Sequence, residues 1–164
     1  MDTQTQKLMF SSKSNEWGTP QDFYDKLNRR FKFTLDPCAT HENHKCDKYY
    51  TIEDNGLFKS WKDEVVFVNP PYGDIGQWVK KAYEESTQNN AIVVMLIPVR
   101  TDTKYWHDYV MKGASKIFFV KGRLKFTNSV SSQCFHPAPF PSVAVVFGGW
   151  RWSPGPSVET MERQ

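Results

Sequence analysis

No apolar stretch in these 164 residues outlasts the one from Ala91 to Val99, so none approaches the ~20 residues needed to span a bilayer. The N-terminal stretch MDTQTQKLMFSSKSNEW lacks an apolar core, so export is not expected and the chain is assigned to the cytoplasm. Cysteine is scarce. Cys38, Cys46 and Cys134 make an odd set with no export signal, which favours free thiols over a disulfide framework. Internal repeats and low-complexity tracts are absent, which excludes solenoids and fibrous arrays. Neither sign of charge dominates: 21 Lys and Arg against 18 Asp and Glu give +3, which permits contact with a polyanion without requiring it.

What remains is the composition of one ordinary globular domain, with 39% hydrophobic and 15% aromatic residues. Residues 1–16 and 151–164 are polar, without apolar periodicity, and are expected to be a loose arm and tail around a single domain at 17–150. Between them, short apolar runs alternate with amphipathic stretches, the order of an α/β fold. Thr19 as a cap, Pro20 at the first helical position, and Phe23, Leu27 and Phe31 on one face predict a helix over 20–30. Strands are predicted at Phe33–Asp36, Glu64–Val68, Ala91–Ile97, Lys116–Val120 and Ser142–Phe147. Helices are predicted from the face Ile75, Trp78, Val79, Ala82 and Tyr83, and near 102–112. Residues 121–141 form a long irregular connection of the kind that often binds.

Asn69-Pro70-Pro71-Tyr72 follows an apolar strand directly, where open α/β sheets hold their ligands. Consecutive prolines keep the backbone extended and remove two donors, leaving carbonyls free to accept. Asn69 adds an acceptor oxygen, and Tyr72 a ring on which a planar group can stack. The set suits an aromatic amine: the Asn69 oxygen and the Pro70 carbonyl accept its hydrogens, and the nitrogen becomes nucleophilic without a strong base. Asn and Pro are also ordinary turn residues, so the tetrapeptide alone is equally compatible with a simple strand-ending turn.

Ordered companions extend the pattern: Trp17-Gly18-Thr19-Pro20, Leu35-Asp36-Pro37-Cys38-Ala39, Asp54-Asn55-Gly56-Leu57 with Trp61, Pro98-Val99-Arg100-Thr101-Asp102-Thr103 with Trp106, Gly122-Arg123-Leu124-Lys125-Phe126, and Ala138-Pro139-Phe140-Pro141-Ser142. With these the chain resembles the small, phage-encoded, Dam-type DNA N6-adenine methyltransferases over most of residues 17–148. The resemblance implies a Rossmann-like, mostly parallel sheet with a late antiparallel strand. It also implies S-adenosylmethionine as methyl donor and site-specific transfer to the N6 amine of adenine in DNA. Asn69, Pro70, Pro71 and Tyr72 would be catalytic; Trp17, Thr19, Pro20, Asp36, Pro37 and Cys38 would hold the cofactor, with Asp54 as the ribose partner and Glu53 its competitor. Arg100, Lys121, Arg123 and Lys125 would touch phosphates, and residues 127–141 would read the bases around an adenine flipped from the stack. One feature departs from the wider superfamily: no glycine follows Asp36 before Glu42.

Rival readings stay open at this point. The same pocket suits N4-cytosine methylation, glutamine N5-methyltransferases share the tetrapeptide, and a degenerate fold could serve as a DNA- or protein-binding module. None of the cysteines has the context of a C5-cytosine nucleophile. The string Cys38, His41, His44, Cys46 is too tight a segment for a tetrahedral metal site, so no metal is expected. Because the chain leaves no room for a separate recognition domain, either the recognised site is short or loose, or a second copy in a homodimer completes the DNA channel.

Overall fold

A computed structural model describes residues 17–128, 137–149 and 155–164. In chain order the elements are β1 (Trp17–Gly18), α1 (Gln21–Phe31), β2 (Leu35–Asp36), β3 (Lys48–Tyr49), β4 (Val65–Val68), α2 (Ile75–Gln88) and β5 (Ile92–Pro98). A π-wound turn Trp106–Val110 running into Met111–Gly113 forms α3, followed by β6 (Ala114–Lys121), β7 (Thr127–Asn128), β8 (Ser142–Phe147) and β9 (Ser157–Glu162). Seven strands form one sheet in the order β3-β2-β4-β5-β8-β6-β9. All neighbours run parallel except β8, which is antiparallel to both β5 and β6. The expected Rossmann-like α/β fold with a late antiparallel strand is therefore present.

Apolar periodicity explains the main elements. All six residues of β8 are buried, as are the last six of β5, so both are central strands read from continuous apolar runs. Along α2, Ile75, Trp78, Val79, Ala82 and Glu85 share one buried face, which packs on β5 and β8. Helix α1 buries Phe23, Tyr24 and Leu27. Its Tyr24 meets Phe67 of β4 edge-on at 5.1 Å, and Phe31 meets Phe118 of β6 at 6.4 Å. Lys32 ends the helix in the left-handed conformation at φ 60°, its N–H bonded to the Asn28 carbonyl.

Several local expectations need correction. Pro20 occupies the N-cap position of α1 and no side chain caps the helix, so Thr19 is not its cap. The strand expected from Phe33 shortens to Leu35–Asp36. Residues 157–162, expected to be tail, form β9 along the outer edge of β6. Its sequence SVETME has only Val158 and Met161 as apolar residues, three apart and so out of strand period, and carries no burial signal; the free edge of β6 and charge partners define it. Lys116 pairs with Glu159 at 2.5 Å and Lys121 with Glu162 at 3.1 Å. Thr127–Asn128, inside the expected irregular connection, pairs with β1 as a separate antiparallel ribbon. The expected arm at 1–16, Cys134, and most of the expected base-reading segment lie outside the described residues.

From β2 the chain moves outward to β3 and then crosses to β4 on the other side, so the strand order reverses between β2 and β4. Such a switch point opens a crevice at the carboxyl ends of the two strands. Asp36 closes β2 and Asn69 directly follows β4, which brings both to that crevice.

Candidate active site

A cavity of about 700 Å³ occupies this crevice. Asp36, Pro37 and Cys38 line it from the end of β2, Phe67, Asn69 and Pro71 from the end of β4, Thr51, Ile52, Glu53, Asn55, Gly56 and Leu57 from the loop after β3, and Trp17 to Thr19 from β1. The Asp36 carboxyl is 4% exposed and accepts hydrogen bonds from the backbone N–H of Cys38 at 3.3 Å and of Lys45 at 3.0 Å. Burial outweighs those bonds and the nearby Lys45 and His44 charges, pushing its pKa up to about 6. A carboxyl in this state gains from any cation that enters the cavity.

The loop after β3 is clamped onto β2 by two contacts. Gly56 sits so close that a Cβ there would lie 2.1 Å from the Pro37 carbonyl oxygen. Beneath it, the buried Trp61 donates its indole N–H to the Gly56 carbonyl at 3.0 Å and stacks on Trp78, whose ring lines the cavity. Glu85 on α2 holds Trp61 in turn, accepting its backbone N–H at 3.1 Å while pairing with Lys81.

At the other end of the cavity stands Asn69. Its amide nitrogen donates to the Trp17 carbonyl at 2.5 Å and to the Thr19 hydroxyl at 3.1 Å, while its oxygen is buried with no hydrogen-bond partner among the described residues. The Pro71 carbonyl accepts from Asp74 N–H at 3.2 Å, opening the single 3₁₀ turn Tyr72–Asp74, and no donor among the described residues reaches the Pro70 carbonyl. The Tyr72 ring lies 22° from parallel to Trp17 and meets Phe140 edge-on at 5.2 Å. Burial pushes its phenol pKa well up, and its hydroxyl, like the Trp17 indole N–H, is unpartnered among the described residues. Unpaired buried polar atoms are uncommon, and this cluster surrounds the tetrapeptide.

The sequence profile of the DNA N-6-adenine-methyltransferase (Dam) family matches residues 6–164. The chain belongs to this family. A DNA N-6-adenine-methyltransferase of Haemophilus phage HP1 is 31% identical over 134 residues, 80% of this chain and 77% of the relative. One of Escherichia phage T1 is 36% identical over 110 residues, 66% of this chain and 45% of the relative. Adenine-N6 methylation of DNA is accordingly the activity of this methyltransferase, and the cytosine, glutamine and binding-module readings are not favoured.

Of the eleven residues expected to be catalytic or to hold the cofactor, Trp17, Thr19, Asp36, Pro37, Cys38, Asn69 and Pro71 line one cavity; Pro20, Asp54, Pro70 and Tyr72 do not, and the Tyr72 ring is buried beside it. Glu53 lines it, whereas Asp54 turns back on its own loop. The Oδ2 of Asp54 accepts the Thr51 N–H at 2.9 Å and hydroxyl at 3.1 Å, bonds that hold the carboxyl below its ordinary range. Sequence reasoning missed Thr51, Asn55, Trp78 and the Lys45 N–H, which act through backbone geometry or packing; only the Asp54-Asn55-Gly56 turn signalled a loop there. Cys46 is buried with its Sγ against the Tyr24 hydroxyl, and burial raises its thiol to about 11. His41 and His44 are exposed, His44 stacked on Tyr49 at 4.1 Å. Of the four expected phosphate contacts, Arg100 is half-buried, Lys121 pairs with Glu162, Arg123 donates to the Ala138 carbonyl at 3.3 Å, and Lys125 is exposed.

Proposed function

We propose that Asn69 Oδ1 and the Pro70 carbonyl accept the two N6 hydrogens of an adenine flipped out of DNA, and that Tyr72 gives the base its stacking surface. The observation that carries this reading is the buried Asn69 oxygen, an acceptor without a donor among the described residues, beside a rigid Pro-Pro backbone. Accepting both hydrogens draws the amine toward a tetrahedral shape and directs its lone pair away from the two acceptors. The same bonds strengthen as the nitrogen becomes positive during transfer, so they favour the transition state over the ground state. A buried acceptor is out of reach of a stacked, paired base, hence the flip.

The cavity residues fit S-adenosylmethionine. The volume of about 700 Å³ suits a nucleoside carrying an amino-acid tail. The buried Asp36 carboxyl, raised to about 6 by desolvation, suits a cationic ligand. We assign Asp36, Pro37 and Cys38 to the methionine side and Glu53, rather than Asp54, to the ribose hydroxyls, because Glu53 faces the cavity. Once bound, S-adenosylmethionine supplies an electrophilic methyl group on a sulfonium. The protein's part is to hold donor and amine in line and to exclude water between them. Arg100, Arg123 and Lys125, with Lys121 at the margin, supply phosphate contacts, and the recognised site is either short or loose or is completed by a second copy of the chain.

The test is Asn69→Ala, assayed twice on one preparation. Calorimetric titration is expected to give cofactor affinity close to wild type, while single-turnover methyl transfer falls by about 10²–10³. Transfer at the wild-type rate would sink the assignment.

A further inference from the structure

We infer that the Thr19 hydroxyl and the Trp17 carbonyl are positioning groups for Asn69: they engage its amide nitrogen, fix its oxygen toward the substrate, and commit the site to an amide at position 69. This inference rests on the reading of Asn69 as an acceptor of the target amine.

The two ends of an asparagine amide are nearly isosteric, and what distinguishes them is their partners. Here the partner decides. A backbone carbonyl can only accept, so the Asn69 atom 2.5 Å from the Trp17 oxygen has to be the nitrogen. The Thr19 hydroxyl, 3.1 Å away, takes the second hydrogen. Turned over, the amide would set its oxygen against the Trp17 carbonyl and aim two hydrogens at an amine that itself donates. The wrong orientation therefore loses both the internal bonds and the substrate.

Among the described residues the Thr19 hydroxyl has the Asn69 amide as its hydrogen-bond partner, at the border of the cavity. The side chain is 3% exposed, and α1 starts at a proline with no side-chain cap. Its place is set by β1, whose Trp17 and Gly18 pair with Asn128 and Thr127 of β7. Thr127 donates its hydroxyl to the Gly18 carbonyl at 3.3 Å, and a Cβ on Gly18 would fall 2.6 Å from that hydroxyl oxygen, so a side chain there would displace Thr127. The Trp17 ring is fixed by Phe126 at 5.6 Å and Phe140 at 6.4 Å. A carboxylate oxygen in the place of the Asn69 nitrogen could take a bond from the Thr19 hydroxyl but would lie against the Trp17 carbonyl oxygen, a repulsion the amide does not meet.

The experiment compares Thr19→Val, Thr19→Ser, Asn69→Asp and the Thr19→Val/Asn69→Ala double variant with wild type and Asn69→Ala. Thr19→Val is expected to lower the single-turnover rate about tenfold, the worth of one hydrogen bond, with S-adenosylmethionine affinity within about twofold of wild type. Thr19→Ser restores the rate. The double variant is no slower than Asn69→Ala, because the hydroxyl acts only through the amide. Asn69→Asp falls to the level of Asn69→Ala at neutral pH, an arm that holds even if Thr19→Val fails to fold. The inference is overturned if Thr19→Val weakens cofactor binding at an unchanged rate, if the two losses multiply in the double variant, or if Asn69→Asp transfers like wild type. An Asn69→Ala variant as fast as wild type would instead remove the underlying reading.

Discussion

Asn69 and Asp36 face the same cavity with opposite needs: one is an acceptor awaiting a donor, the other an acid awaiting a cation. The Asp36 pKa is raised from 3.8 to about 6, so folding favours its protonated form. Its contribution to stability is complete below pH ~4 and is lost as pH rises through ~6, ionisation of the buried carboxyl costing about 3 kcal/mol. Cofactor binding has the reverse sign, because a cation favours the carboxylate. Affinity for S-adenosylmethionine is thus expected to rise between about pH 5 and 7, with proton release near pH 6. Calorimetry in buffers of different ionisation heat reads that release directly; a flat affinity and no proton release would contradict it. The tetrapeptide and the strand-ending acid were legible in the sequence because each follows an apolar run and carries distinctive chemistry. The choice between Glu53 and Asp54 was not. Adjacent acids look alike until the turn closes and Asp54 bonds back to Thr51.

Among the elements, the loop after β3 depends on its approach to β2 more than on any side chain that enters the cavity. Gly56→Ala would force a methyl group to within 2.1 Å of the Pro37 carbonyl, whereas Gly73 has open space around it. Denaturant unfolding should show Gly56→Ala destabilised by about 1–3 kcal/mol, with Gly73→Ala near wild type. Equal midpoints for the two would show that the close approach is absent. Strands β4, β5 and β8 were legible as apolar runs, and α2 from its periodic face, because burial writes itself into composition. β1, β3 and β7 are two-residue strands, too short for any period to show, and exist through partners distant in the chain.

Across the whole molecule, β9 decides which strand ends the sheet. It pairs along β6 from Ser157 to Glu162, and Lys26 donates to the carbonyls of Glu162 and Gln164, so α1 also holds it. Removal of residues 155–164 would leave the apolar β6 with an open edge. The expected loss is about 2 kcal/mol, or a fall of about 4–8 °C in Tm, with increased self-association. An unchanged melting curve would mean that β9 contributes nothing to the fold. This strand was invisible in the sequence because its residues stay exposed and its pairing exploits an edge built elsewhere.

The protein methylates the N6 amine of adenine, and the reading proposed above places Asn69, at the switch point of the sheet, on that amine. The most direct measurement is nucleoside mass spectrometry of unmethylated DNA after incubation with S-adenosylmethionine and the wild-type or Asn69→Ala protein. N6-methyldeoxyadenosine is expected from the wild type and none above background from the variant. N4-methyldeoxycytidine in its place, or equal product from both proteins, would contradict this assignment.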